Sequence, residues 1–210
     1  MSRKIIPGVD NFTYNEDGSI TIPVLGGGGW NDYIVTANSI PIAHASAPAL
    51  TLYRDGLYLP AFVGTGVLVK DVYTSIHIEH DYLPGTKLYP HIHWSHIIAV
   101  PSGDVKWTIE YSVAKGHSVG AYPASTTISK VQTAGAQYTH HIAEVSDDDA
   151  IPSDNVEPDS VVIMRISRDP ADVADTFENN AYLIAVDIHY QSKILYTNEK
   201  VSPFTSYKKI

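Results

Sequence analysis

The chain has no cysteine, which excludes disulfides, thiolate metal sites and a cysteine nucleophile. Charge is also sparse, at 18% of residues, and basic charge is the scarcer kind: 14 Lys and Arg stand against 23 Asp and Glu, a formal net charge of −9 with histidines neutral. A nucleic-acid binder needs a basic patch to meet the phosphates. The only adjacent basic pairs are Arg3-Lys4 and Lys208-Lys209, one near each end, so no nucleic-acid partner is expected. No apolar run approaches the roughly 20 residues that a membrane helix needs, so no membrane insertion is expected either. The residues after Arg3-Lys4 lack the apolar stretch of a secretory signal. No window of useful length shows the three-and-four apolar spacing of a long amphipathic helix. Gly26 to Gly29 neither ends in the Lys-Ser/Thr of a phosphate loop nor opens a helix.

What the chain does contain is strand. Val105, Trp107, Ile109, Tyr111 and Val113 alternate with Lys106, Thr108, Glu110 and Ser112. Successive strand side chains leave on opposite faces, so this period of two marks a half-buried β-strand. Val72, Thr74, Ile76 and Ile78 form a similar series, as do Ile92, Trp94, His96 and Ile98, and later Tyr182, Ile184, Val186, Ile188 and Tyr190. Ser160 to Ser167 is nearly continuous in apolar residues, which suits a central strand buried on both sides. Weaker strands are expected at Thr126 to Val131 and Tyr138 to Val145, and a hairpin at Asp55-Gly56. The acidic stretch from Asp147 to Asp159 reads as a solvated loop, because it lacks the residue order of a calcium loop. Strands separated by Gly/Pro turns give an all-β antiparallel sandwich of jelly-roll type. Its core anchors are Trp94, Trp107, Ile109, Tyr111, Met164, Ile166, Val186 and Ile188.

Residues 1–65 have a different texture, with the Gly26 to Gly29 run and an Ala/Ser/Pro-rich stretch from Ala43 to Ala49. They are read either as an extended arm or small anchoring subdomain, or as the first strands of the main sheet. The β-sandwich body then covers residues 66–200, and residues 201–210 form a C-terminal tail.

One pair of residues carries metal-binding chemistry. His91 and His93, two apart on a strand, project from one face, as two ligands of one ion must. Their spacing from Gly85 matches the opening of the cupin motif, a jelly-roll metal site. The motif then expects a Glu where Ile97 and Ile98 stand, and its second half is absent. A third ligand from His77, His80, Glu110, His140 or His189 is not specified by any spacing. Ser, His and Asp combinations can be drawn from any chain with 10 histidines. No catalytic, cofactor-binding or metal residue is therefore assigned, and a cupin-like metal enzyme or sugar binder built on His91 and His93 stands as the alternative.

Four ordered segments carry a family resemblance. His80-Asp-Tyr-Leu-Pro-Gly-Thr-Lys-Leu-Tyr-Pro-His-Ile-His-Trp94, Gly103-Asp-Val-Lys-Trp-Thr-Ile-Glu-Tyr-Ser-Val-Ala-Lys115, Glu157-Pro-Asp-Ser-Val-Val-Ile-Met-Arg-Ile-Ser-Arg-Asp169 and Ala181-Tyr-Leu-Ile-Ala-Val-Asp-Ile-His-Tyr190 resemble segments of structural proteins of tailed bacteriophages. The resemblance spans roughly residues 66–200. It implies a virion protein without enzymatic activity, on the particle surface as a capsid decoration, head fibre or tail-attachment protein. Its expected partners are copies of itself, a homotrimer being favoured as for many jelly-roll virion proteins, and proteins of the capsid or tail. Host surface glycan is a further expected ligand, through the loops at 114–125 and 146–159.

Overall fold

The computed structural model describes residues 13–14, 20–21, 29–40 and 44–192. Gly26 to Gly28, the two basic pairs and the tail at 201–210 lie outside the described residues. A short ladder of Thr13–Tyr14 (β1) and Ile20–Thr21 (β2) precedes the body. The body strands are Trp30–Thr36 (β3), Ala49–Arg54 (β4), Leu57–Phe62 (β5), Lys70–His77 (β6), Tyr89–Ser95 (β7), Asp104–Ala114 (β8), Thr126–Thr133 (β9), His141–Glu144 (β10), Val161–Arg168 (β11) and Ala181–Gln191 (β12). Among the described residues the only helix is two single 3-10 turns, Ala37–Ser39 and Ser153–Asn155.

The strands form two antiparallel sheets. One runs β10-β7-β12-β5-β4, with β3 pairing alongside β12; the other runs β6-β11-β8-β9. Strands β5 to β12 thus fall in the orders β5-β12-β7-β10 and β6-β11-β8-β9. The chain changes sheet at every connection between them except the one joining β8 to β9. This interleaving is the jelly-roll topology. Of the residues set apart at the N-terminus, β3, β4 and β5 are hydrogen-bonded into the first sheet, β3 along Ala185 to Gln191 and β5 at Ala181 and Tyr182.

The eight anticipated core anchors are all buried between the sheets. Trp107 sits edge-on to Phe62 at 5.0 Å and near Trp94 at 6.3 Å, and Phe177 lies 6.4 Å from Trp94. Each such side chain contributes about 1.5–3 kcal/mol by leaving water, which fixes the phase of every inward-facing strand. The hairpin at Asp55-Gly56 forms as its sequence requires. Both residues have positive φ, 47° and 89°, matching the right-handed twist of the flanking strands.

Four local expectations need correction. Strand β11 is not buried on both sides: Ile163 is half-exposed and Arg165 faces outward to Asp71 and Glu110. Strand β12 does not keep one apolar phase. A bulge at Ile184 between Leu183 and Ala185 puts Ala181 and Leu183 in the core before it, and Val186, Ile188 and Tyr190 after it. Tyr138 lies in a turn with φ 60°, so β10 starts only at His141. The acidic loop is tied down rather than solvated throughout: Ile151 bridges to Leu88, and Ala150, Ile151 and Val156 are buried.

After β11 the chain loops over one end of the sandwich. The loop is held by Arg168, which is wholly buried. Its guanidinium forks onto both oxygens of Asp175 at 2.8 Å and donates to the carbonyls of Phe62, Asn179 and Phe177. Every donor direction of the fork used here ends on an acceptor, which is what allows a charge to be buried.

Candidate functional site

Ile92 and Trp94 point into the core, so the alternation of β7 sends His91 and His93 to the outer face of the six-stranded sheet. The register of neighbouring strands determines what they meet. His91 lies opposite Asp187 on β12 and Glu144 on β10, and His93 lies opposite Ala185 and Ile142. His189 stands opposite Asp32 on β3. Because the Ile184 bulge shifts the phase of β12, Asp187 and His189 face outward with the histidines of β7.

The resulting cluster divides into two parts. In the first, His189 lies between two carboxylates, with Nε2 at 2.8 Å from Asp32 and Nδ1 at 2.9 Å from Glu144. Carboxylates only accept, so both ring nitrogens donate and the ring is an imidazolium. Burial pulls its pKa down, but the bonds to Asp32 and Glu144 outweigh that and push it up to about 9.

In the second part, His91 Nε2 and His93 Nε2 approach the same oxygen, Asp187 Oδ2, at 3.4 and 3.5 Å. These separations are longer than an ordinary N–H···O bond, and His91 Nε2, His93 Nε2 and Asp187 Oδ1 are all buried without a hydrogen-bond partner. Burial works against ionising Asp187, but His91 and His93, in their protonated forms, outweigh it and hold its carboxyl well below the usual carboxylate range. The other nitrogens are engaged. His91 Nδ1 is 3.3 Å from the Tyr89 carbonyl, and His93 Nδ1 is 2.7 Å from His140 Nε2. Burial, reinforced by His93 and His91 when they are protonated, pushes His140 below the usual histidine range.

The remaining candidates for a third ligand go elsewhere. His77 and His80 belong to the other sheet and its rim, where they contact Asp159 together with His117. Glu110, on β8, accepts from Arg165 at 2.6 Å. His140 and His189 do reach the cluster, but as neighbours of the ring nitrogens and carboxylates just described. The residue that the sequence reading missed is Asp187. Its signal was present, since a lone Asp two residues before His189 interrupts the apolar run of β12 and repeats the His-x-His alternation of β7.

A second motif also escaped the sequence reading. Gly116-His-Ser-Val-Gly120 has the spacing of a Gly-x-Ser-x-Gly nucleophile elbow. It does not form one. The motif requires a strand-to-helix turn, whereas here the chain leaves β8 into an exposed loop that leads to β9. Ser118 Oγ donates to Glu157 at 2.7 Å instead of to a histidine, and the positive φ of 49° falls on Val119. The chain matches no protein-family model, and no curated protein is similar to it in sequence.

Proposed function

We propose that this chain is a non-enzymatic structural protein of a tailed-phage particle, a jelly-roll module that associates with copies of itself and seats on the capsid or tail. The observation that carries this reading is the outer half of the β4–β5 hairpin. Leu50, Leu52, Leu57 and Tyr58 are between 49% and 63% exposed there, while Ala61 and Phe62 at its base are buried. A two-stranded ribbon is marginal in water on its own, and β4 is the end strand of its sheet. An apolar edge of this kind is a liability unless something covers it. A second copy of the chain is the occupant this reading assigns. A hairpin of one copy seated on the next is a head-to-tail contact, which closes into a ring when the rotation between copies is an exact fraction of a turn; three copies is the number expected. The four ordered segments that resemble tailed-phage structural proteins support the same reading, as does a chain low in charge and rich in tyrosine.

The test is sedimentation and light scattering of the full chain, alone and with Leu52→Asp and Leu57→Asp. The expected result is a trimer that the two charges convert to folded monomer. A wild-type monomer at all accessible concentrations sinks self-association. Labelled particles imaged by electron microscopy then place the protein on the head or the tail, and absence from the particle sinks the virion assignment.

A further inference from the structure

The unpartnered atoms on the outer face of the six-stranded sheet point to a ligand that the structural role does not need. We propose that His91 Nε2, His93 Nε2 and the Asp187 carboxylate bind one divalent transition-metal ion, Zn2+ by their geometry, which ties β7 to β12.

The argument begins with His91. Its Nδ1 faces a carbonyl oxygen, which only accepts, so Nδ1 carries the proton. In the neutral ring Nε2 then presents a lone pair to the lone pairs of Asp187 Oδ2, 3.4 Å away and shut off from water. Two lone pairs repel each other unless a cation lies between them. His93 repeats the arrangement when its Nδ1 donates to His140 Nε2, which their 2.7 Å contact permits. Donation from the far nitrogen to a carbonyl or a second side chain is the support that metal-binding histidines have in general.

Distances distinguish among ions. With metal–ligand bonds of about 2.0–2.1 Å, two ligand atoms of a tetrahedral centre lie about 3.3 Å apart, against about 3.0 Å for neighbours in an octahedral one. The two nitrogen–oxygen separations, 3.4 and 3.5 Å, lie nearer the tetrahedral value, and the three ligand atoms all fall within 4.8 Å of one another. Two imidazoles and a carboxylate are also a donor set that Zn2+ takes, with a fourth position left for water. His93, at 16% side-chain exposure, is the entry side; His91 and Asp187 are closed off behind it. A second grouping of His91, Glu144 and His189 lies within ligand distance as well. It fails on chemistry, because both nitrogens of His189 already donate to carboxylates and neither has a lone pair to give.

The rival occupant is a proton, which would make His91 an imidazolium paired with Asp187. The experiment treats the full chain with chelator, titrates it with ZnCl2 against a competing dye, and follows ring nitrogens by 15N NMR. The expected result is one equivalent bound per chain, with the Nε2 resonances of His91 and His93 shifting on binding. His93→Ala weakens binding at least about 10-fold, and His140→Ala, which removes only the supporting partner, weakens it by about 10- to 100-fold. His77→Ala, at the exposed histidines around Asp159, leaves the affinity unchanged. Uptake well below one equivalent overturns the proposal. So does unaltered binding by His93→Ala, and so do wild-type Nε2 resonances that stay at their imidazolium positions when Zn2+ is added. The last measurement needs no variant to fold.

Discussion

Two buried charged groups in this protein follow opposite rules. Arg168 and Asp175 form a closed system: a fork meets a carboxylate, three carbonyls take further donors, and both side chains are wholly buried. Asp187 and its two histidines are buried almost as deeply, yet His91 Nε2, His93 Nε2 and Asp187 Oδ1 are left without hydrogen bonds. A fully satisfied polar network can be explained by the fold alone. A half-satisfied one costs stability in isolation, which is the ground for the metal proposed above. Burial is therefore a poor guide to function here, and the count of unmet donors and acceptors is a better one.

The largest effect that sharpens this contrast is at the closed system. Arg168→Ala leaves the Asp175 carboxylate buried and unpaired and should lower unfolding free energy by about 3–5 kcal/mol in urea titrations. A loss within error of zero would mean that the loop at 169–180 is not held by this pair. The open cluster should respond in the other direction. In chelator-treated protein, Asp187→Asn replaces a repelling oxygen by an amide that donates to both Nε2 atoms. Its stability should rise by about 0.5–1.5 kcal/mol, the net value of an ordinary hydrogen bond, while the gain on adding Zn2+ disappears. If Asp187→Asn is destabilising without metal, the cluster holds a proton and belongs with the closed kind.

The smallest effect is acid sensitivity at a third site. The backbone of Gly135 is clamped between two rings: its N–H donates to His141 Nε2, and its carbonyl accepts from His96 Nε2, while Ile98 N–H donates to His96 Nδ1. Burial, helped at His141 by the charge of His96, pushes both histidines below their ordinary pKa. The unfolded chain takes up these protons near pH about 6.5 and the folded chain only further down. Their contribution is therefore complete above about 6.5 and is lost as the pH falls toward the lowered folded values. Urea midpoints should decline over that window. His141→Gln, whose amide oxygen can accept from Gly135, should flatten the decline, and an unchanged slope would remove His141 from the account.

Much of this architecture is legible in the sequence, because a period of two declares a strand wherever one face is buried. Val105 to Val113 shows this most clearly, and Asp55-Gly56 declares its turn by chemistry that few other pairs supply. The failures have equally local causes. Ile163 is apolar but half-exposed, so an apolar run did not mean burial on both faces. Ile151 is buried in an acidic loop because of a bridge to Leu88, a long-range contact that composition does not encode. The site was half legible for the same reason. His91 and His93 declare themselves on one strand, but Asp187 joins them only through the β7–β12 register, between strands more than ninety positions apart in the chain.

Ile184 controls that register, and its effect reaches beyond its own side chain. As the extra residue in β12 it acts like a half-step in a staircase: everything downstream comes out on the other side. Pair that position regularly instead of skipping it, and Asp187 and His189 would swing inward, while Val186 and Ile188 would turn to water. A single-codon deletion of Ile184 would join Leu183 to Ala185, whose partners Trp94 and His93 are already neighbours, and would keep both faces in place. Insertion and deletion scanning along this strand, rather than substitution, is what would reveal how the two faces were assigned.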